Sequence, residues 1–354
     1  MLTAALITGC TTTRAPLFTD DLGRLGLAEA VEAHAWFLEH GAKLGGSVDG
    51  VGLGDQRLSR SQYAAALRRF AALVKSAMSD QELARAVESQ FELREVVLDQ
   101  PFKVTAYYEP IVRGSRVRQG VFTQPLYRAP PELAPGKPFH TRHEIDSEHV
   151  LAGRGLEICW VDPIVAFELQ TEGGGTVVLD DGTRLPLDHD GTNNHPHVSI
   201  SRKVAAVLPK EHLSMHAIEV YLRSLPEPEM RALLEQNPRY GFFKRRPPPG
   251  AAPATSIGLP ALAGRTIAID PRVVPMGALV FLQSEQPRFG TPEAHEPASW
   301  LPLSRFVLAQ DTGGGILGPR VDLYWGEGPD AERYAGVMKQ PGRLFYLVPR
   351  ENTR

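Results

Sequence analysis

Gln310-Asp311-Thr312-Gly313-Gly314-Gly315-Ile316-Leu317-Gly318-Pro319-Arg320-Val321-Asp322-Leu323-Tyr324-Trp325-Gly326 is the densest signal in this 354-residue chain. The apolar run 306–309 reads as a strand that ends at Asp311, and 321–325 reads as the next strand. Asp322 stands inside that second strand, between Val321 and Leu323, eleven positions (322 − 311) beyond Asp311. Three consecutive glycines lie between the acids, which suits positive φ or close approach of backbone to a ligand. Burying an ionised carboxylate costs free energy, so an acid within an apolar strand should keep its proton to higher pH. A carboxyl protonated near neutrality is what general-acid catalysis needs. The segment alone leaves a second reading open, in which Asp322 faces solvent on the alternate strand positions and Asp311 caps a turn. Asp270, closing the run 266–269 before Pro271, reads by itself as a turn former. Asp311-Thr312-Gly313 also invites an aspartic-protease reading, but one triplet would require a homodimer, and the extra glycines and Asp322 do not fit it.

Outward from this stretch, short apolar runs at 266–269, 278–282 and 343–348 continue the strand texture, while 285–300 is polar and Pro-rich and reads as a surface insertion. Upstream, runs at 102–108, 121–127, 158–169, 176–179 and 185–187 read as strands, and Asp181-Gly182 marks a hairpin. Helical patterns occupy 215–225 and 228–236. The N-terminal part is helical: 27–40 with Ala30, Ala33, Phe37 and Leu38 on one side; 61–78 after a Ser59 or Ser61 cap; and 80–91 after Ser79. Residues 41–54 read as a glycine-rich loop. Gly (33) and Pro (30) favour many short strands, and the expected class is α+β, mostly β, with barrel-like domains. The length fits two domains, and a net charge of −3 excludes an electrostatic nucleic-acid binder.

Other chemistry-bearing residues are scattered. His189, His195 and His197 fall in a polar stretch that reads as a surface loop, with a metal site as the sharper alternative. His140–Glu144 has the wrong spacing for a zinc helix. Tyr107-Tyr108 and Tyr324-Trp325 are adjacent pairs, so on a strand one member of each can face a ligand while the other packs inside. Leu6-Ile7-Thr8-Gly9-Cys10 resembles a lipobox, in which Cys10 would carry a lipid; the apolar run before it is short and lacks a basic flank, which points to a start upstream of Met1. Residues 11–19 then read as a tether. There is no phosphate loop, dinucleotide fingerprint or nucleophile elbow.

Taken together, Ala106-Tyr107-Tyr108-Glu109-Pro110, Gln124-Pro125-Leu126-Tyr127, Trp160-Val161-Asp162-Pro163, Leu213-Ser214-Met215-His216-Ala217-Ile218, Asn237-Pro238-Arg239-Tyr240-Gly241-Phe242-Phe243-Lys244 and the block 311–328 resemble the membrane-bound lytic murein transglycosylase A family. The resemblance runs from about residue 98 to the C-terminus, and its last third resembles the 3D domain, whose three aspartates map to Asp270, Asp311 and Asp322. It implies a double-ψ β-barrel (residues 19–112 plus 238–354), a smaller inserted β-barrel domain (113–237) and a glycan groove between them. It implies non-hydrolytic cleavage of the MurNAc–GlcNAc β-1,4 bond to a 1,6-anhydro end. Asp322 would act as acid and then base, supported by Asp311. Tyr107, Tyr108, Gly313, Gly314, Tyr324 and Asp270 would lie on the substrate side. It implies no cofactor and no metal, and a monomer anchored through Cys10 on the periplasmic side of the outer membrane. Its partners would be glycan strands and, as associates, proteins of cell-wall synthesis or division. Departures occur at Thr171-Glu172-Gly173-Gly174 and 187–194. A non-catalytic glycan-binding barrel and a hydrolase using Asp311 and Asp322 as a pair remain the competing readings.

Overall fold

The computed structural model describes residues 18–24, 26–40, 50–208, 215–247 and 252–350. Cys10 lies outside the described residues, as do Leu213 and Ser214. Helix α1 (Leu27–His40) is followed by a small hairpin, β1 (Gly50–Leu53) and β2 (Gln56–Ser59), then α2 (Arg60–Ser76) and α3 (Asp80–Gln90). Residues 50–54 are therefore part of a hairpin rather than a glycine-rich loop. Ser59 caps α2 through a reciprocal capping box with Gln62, and Ser79 caps α3. Ala30, Phe37 and Leu38 of α1 face the core as read, joined by Leu27, Val31 and His34, while Ala33 turns outward.

The barrel is drawn from both ends of the chain. β3 (Phe91–Glu95) and β4 (Phe102–Glu109) precede an excursion through β5 (Ile111–Gly114), β6 (Gln124–Tyr127), α4 (Arg142–Asp146), β7 (Glu157–Val161), α5 (Pro163–Glu172), β8 (Gly174–Leu179), β9 (Arg184–Thr192), α6 (Ile200–Val204), α7 (Met215–Ser224), α8 (Glu227–Glu235) and β10 (Gly241–Arg245). β11 (Thr266–Ile269), β12 (Leu279–Arg288), β13 (Ser299–Asp311), β14 (Arg320–Glu327), α9 (Gly328–Ala335) and β15 (Lys339–Pro349) then return to it. Strands run in the order β12-β13-β11-β14-β4-β15, and β15 pairs back to β12, closing a ring of six with β3 added outside. Closure leaves no free edge on those six strands. The architecture is the expected α+β, mostly β, double-ψ barrel class. The helices α1 to α3 share one core with the barrel, including Phe70, Phe281, Phe306 and Leu347. His34 anchors that packing: its ring bonds to the Gly277 carbonyl at 2.7 Å, and burial pushes its pKa down to about 4, so it stays neutral.

The excursion forms its own sheet, β10-β9-β8-β5, which a Ser115–Trp160 bridge continues into the β7–β6 ladder. Gly182, at φ 79°, makes the β8–β9 turn that Asp181-Gly182 announces. Three expectations are corrected here. Residues 158–169 are not one strand: Asp162 caps a helix start with Pro163 in its first turn, which splits the run into β7 and α5. The surface insertion read over 285–300 is confined to 289–298, because 285–288 and 299–300 are paired as extensions of β12 and β13, registered as far as Arg288 opposite Ser299. Thr141 and Glu144 form a capping box that makes the short α4 where no helix was read.

Candidate active site

Register places the acids in one cross-strand row. β11 puts Ala268 opposite Asp311 on β13 and opposite Asp322 on β14. β14 then runs parallel to β4 with Asp322 opposite Thr105. The row is thus Asp311, Ala268, Asp322, Thr105, with small Ala268 between the two acids. Two strand spacings of about 4.8 Å separate the acid backbones. Val321 and Leu323 are fully buried in the barrel core, so strand alternation turns Asp322 to the opposite face with Arg320 and Tyr324.

Asp322 is half-buried, and its carboxylate accepts the Thr105 hydroxyl hydrogen bond. Burial pushes its pKa up; the Thr105 bond and the Arg320 charge oppose that, and Asp311 adds to it. Arg320 donates to Thr105 Oγ1 from Nε (3.2 Å) and Nη2 (3.1 Å), and to the Gly315 carbonyl from Nη1 (3.0 Å). Those donors occupy the Thr105 lone pairs, which leaves its hydrogen for Asp322.

Asp311 is tied down by four donors. Oδ1 accepts the Ser256 N–H (2.9 Å), the Ser256 hydroxyl (2.6 Å) and the Thr312 N–H (2.9 Å); Oδ2 accepts the Tyr107 hydroxyl (3.0 Å). A carboxylate so saturated is held in place as an acceptor. Tyr107 in turn lies beside Tyr324, ring centroids 5.2 Å apart. Tyr108 points the other way, donating its hydroxyl to Glu168 on α5.

The glycine loop is built differently from its sequence reading. None of Gly313, Gly314 and Gly315 has positive φ; Gly318 does, at 65°. Gly313 is required by proximity, since a Cβ there would meet Ile316 Cγ1 at 2.7 Å. Asp270 holds the far end of the loop: it is buried, accepts the Gly318 N–H at 2.8 Å, and is gripped by Arg272 at 2.9 and 2.6 Å. The Arg272 hydrogen bonds hold its pKa well below the ordinary carboxylate range. Asp270 thus touches the loop rather than the Asp322 carboxyl.

Sequence reasoning missed several participants. Thr105 and Arg320 share a face with Asp322, which strand alternation around Tyr107 signals in outline. Ser256 arrives from a distant turn and carries no local signal. On α5, burial pushes Glu168 up to about 7 and Glu172 up to about 8, and the Asp322 charge acts on Glu172. Arg246 forms a buried ion-pair bridge, to Glu109 of β4 at 3.0 Å and to Asp188 of β9 at 2.8 Å, joining the two sheets. The stretch 188–197 is not a surface loop throughout. Asn193 is fully buried and donates to the His140 and Pro238 carbonyls, and His195 Nε2 bonds to the Phe139 carbonyl at 2.7 Å. Among the described residues no group of His, Cys, Asp and Glu is arranged to hold a metal ion.

The MltA specific insert domain family matches residues 103–244, and the 3D domain family matches residues 265–348. A membrane-bound lytic murein transglycosylase A of Vibrio cholerae is 32% identical over 248 residues, 69% of this chain and 64% of that protein. One from Escherichia coli K12 is 31% identical over 249 residues, with the same shares. The matched span thus covers 64% of the length of these curated relatives. Among solved structures, the lytic transglycosylase LtgG of Burkholderia pseudomallei is 36% identical, with TM-score 0.55 over 81% of this chain and 85% of that one. The membrane-bound lytic murein transglycosylase of Agrobacterium tumefaciens is 25% identical, with TM-score 0.71 over 92% of both chains.

Proposed function

This chain belongs to the membrane-bound lytic murein transglycosylase A family, and on that premise we propose that it cleaves the β-1,4 bond between N-acetylmuramic acid and N-acetylglucosamine in peptidoglycan without water. The observation that carries the mechanism is the contrast within one row: Asp322 is a half-buried carboxyl with a raised pKa, while Asp311 is saturated by four donors. Protonated Asp322 donates its proton to the glycosidic oxygen as the C1–O bond breaks and the GlcNAc hydroxyl leaves. The same carboxylate, now ionised, takes the proton from the C6 hydroxyl of the muramyl sugar as O6 bonds to C1. Asp322 ends protonated again, so one acid/base suffices, because the nucleophile is already in the substrate. Asp311 positions Tyr107 and the loop; half-buried Tyr107 offers its ring to sugar, while Tyr324 is buried and packs against Tyr107 instead of lying on the substrate side. The inserted domain is assigned to about residues 113–237, with its strand pairing carried on through β10.

Digestion of purified peptidoglycan followed by mass spectrometry tests the reaction. Anhydro-ended muropeptides support it; reducing ends would mean hydrolysis, and no fragments would mean a binding barrel. We also assign membrane attachment on the periplasmic side of the outer membrane to a lipid on Cys10, supported by the lipobox-like sequence before it and by the relatives' membrane-bound names. Among the described residues no helix is long and apolar enough to cross a membrane. Cys10→Ser should release the protein from membranes; continued association would rule the anchor out.

A further inference from the structure

Two cations, Arg320 and Lys103, act on the Asp322 carboxyl, and three more lie around Lys103 and the glycine loop. Lys103 and Arg320 lie opposite each other on β4 and β14, one same-face position before Thr105 and Asp322. Lys339 of β15 lies opposite Thr105 from the other side. Arg202 reaches Lys103 electrostatically from α6 in the inserted segment. Arg239 stands over the glycine loop, its guanidinium 3.3 Å from where a Gly314 Cβ would be. Among the described residues none of the five is within salt-bridge distance of a carboxylate. Asp322 is the acid whose charge acts on Lys103, and in its acid role it is protonated and supplies no negative charge. Burial and repulsion from Lys339, Arg320 and Arg202 hold the Lys103 pKa below the ordinary lysine range. Gathering like charges costs free energy unless an anion joins them, so such a collar is a built receptor for one.

We propose that this collar binds the carboxylate carried on the C3 substituent of the muramyl sugar next to the scissile bond. The inference rests on the proposed function. Glycan rings themselves are neutral; the anions of this polymer are the lactyl carboxylate in strands stripped of peptide and the peptide carboxylates in substituted strands. Same-face neighbours on a strand are about 6.7 Å apart. A C3 substituent on a sugar at Asp322 spans that distance to Lys103 and Arg320. The collar therefore selects muramyl over glucosaminyl at this position and sets the register in which the C6 hydroxyl faces C1.

The test is binding without turnover. In an Asp322→Asn background, affinities are measured by calorimetry for three oligosaccharides of equal length: neutral N-acetylglucosamine oligomers, peptide-free muramyl strands and peptide-bearing muramyl strands. The expected result is at least one muramyl ligand bound roughly tenfold tighter than the neutral one at low salt, with the gap closing as salt rises. Arg202→Gln with Lys339→Gln should bring the ratio toward one. A gap for peptide-free strands identifies the lactyl carboxylate; a gap for peptide-bearing strands alone identifies the peptide. Equal affinities in the parent protein, or a ratio the double variant leaves unchanged, would overturn the proposal. Because no cleavage is read, its failure is distinct from absence of anhydro products with the unsubstituted enzyme.

Discussion

The barrel strands and helix α5 each bring carboxyl groups toward the same region, and they control them by different means. On the barrel, Asp311 and Asp322 are placed by strand register: four donors hold Asp311 as an acceptor, while burial raises the Asp322 pKa against the opposing Thr105 hydrogen bond. On α5, Glu168 and Glu172 are raised chiefly by burial, opposed at Glu168 by the Tyr108 hydroxyl and the Arg223 charge. Groups with different sets of donors can take different roles within one row, which a catalytic acid beside a fixed acceptor requires. Burial-tuned groups shift together and follow whatever holds the helix in place. The difference teaches that the barrel carries the chemistry, while helix α5 supplies a buried wall whose own carboxyls are held close to neutral by burial.

The largest expected effect comes from Asp322→Asn, which keeps the shape and removes the proton. Anhydro-product formation should fall on the order of 10⁴-fold, at the upper end for a group serving as acid and base. Near-normal turnover in that variant would break the comparison outright. Next is the joint between the two regions. Arg246→Met leaves Glu109 charged and buried and Asp188 charged and half-buried, which should cost about 3 kcal/mol in denaturant unfolding. A smaller loss would mean that the sheets are held by packing alone.

Asp311→Asn should lower kcat by roughly 10²-fold with little change in KM, since it misplaces the loop and Tyr107 rather than removing the acid. An effect as large as that of Asp322→Asn would instead make Asp311 a second catalytic group. Thr105→Val sharpens the tuning argument. Its hydrogen bond favours the ionised form of Asp322, so its loss raises that pKa further. The reaction needs Asp322 protonated, so the alkaline limb of kcat/KM should move up by about one pH unit. A downward move would contradict the assignment.

The smallest effect probes α5. The Glu172 pKa, about 8, is above its ordinary value of 4.5, so the folded state holds more protons than the unfolded one between those limits. Stability then falls as pH rises through that window. Glu172→Gln should raise Tm by roughly 2–4 °C at pH 8 and by less at pH 5. Equal gains at both pH values would show that burial of the charge is not the cause.

Much of the architecture is legible in the chain. Leu27–His40 and Thr266–Ile269 were bounded correctly from periodicity, and the Asp181-Gly182 hairpin from turn chemistry. The short α4 and the split of β7 from α5 were not, because one capping interaction decides each and the surrounding apolar runs are ambiguous between helix and strand. At the site, Asp322 within its apolar strand and Asp311 at the strand end were visible as candidates, and so was the opposite facing of Tyr107 and Tyr108.

What sequence by itself determined was the residue types and their local faces: period-2 alternation makes Asp322 face away from Val321 and Leu323 whatever the strand pairs with. What only the tertiary structure decided was who stands beside it. Thr105 lies 217 positions away and Ser256 55 positions from Asp311, brought in by parallel and crossover pairings that no local pattern encodes. Those neighbours, together with burial, separate a raised carboxyl from a saturated one. The physical reason is that proton affinity depends on solvation and on partners within a few ångströms, and such neighbours are settled only when distant strands close the barrel.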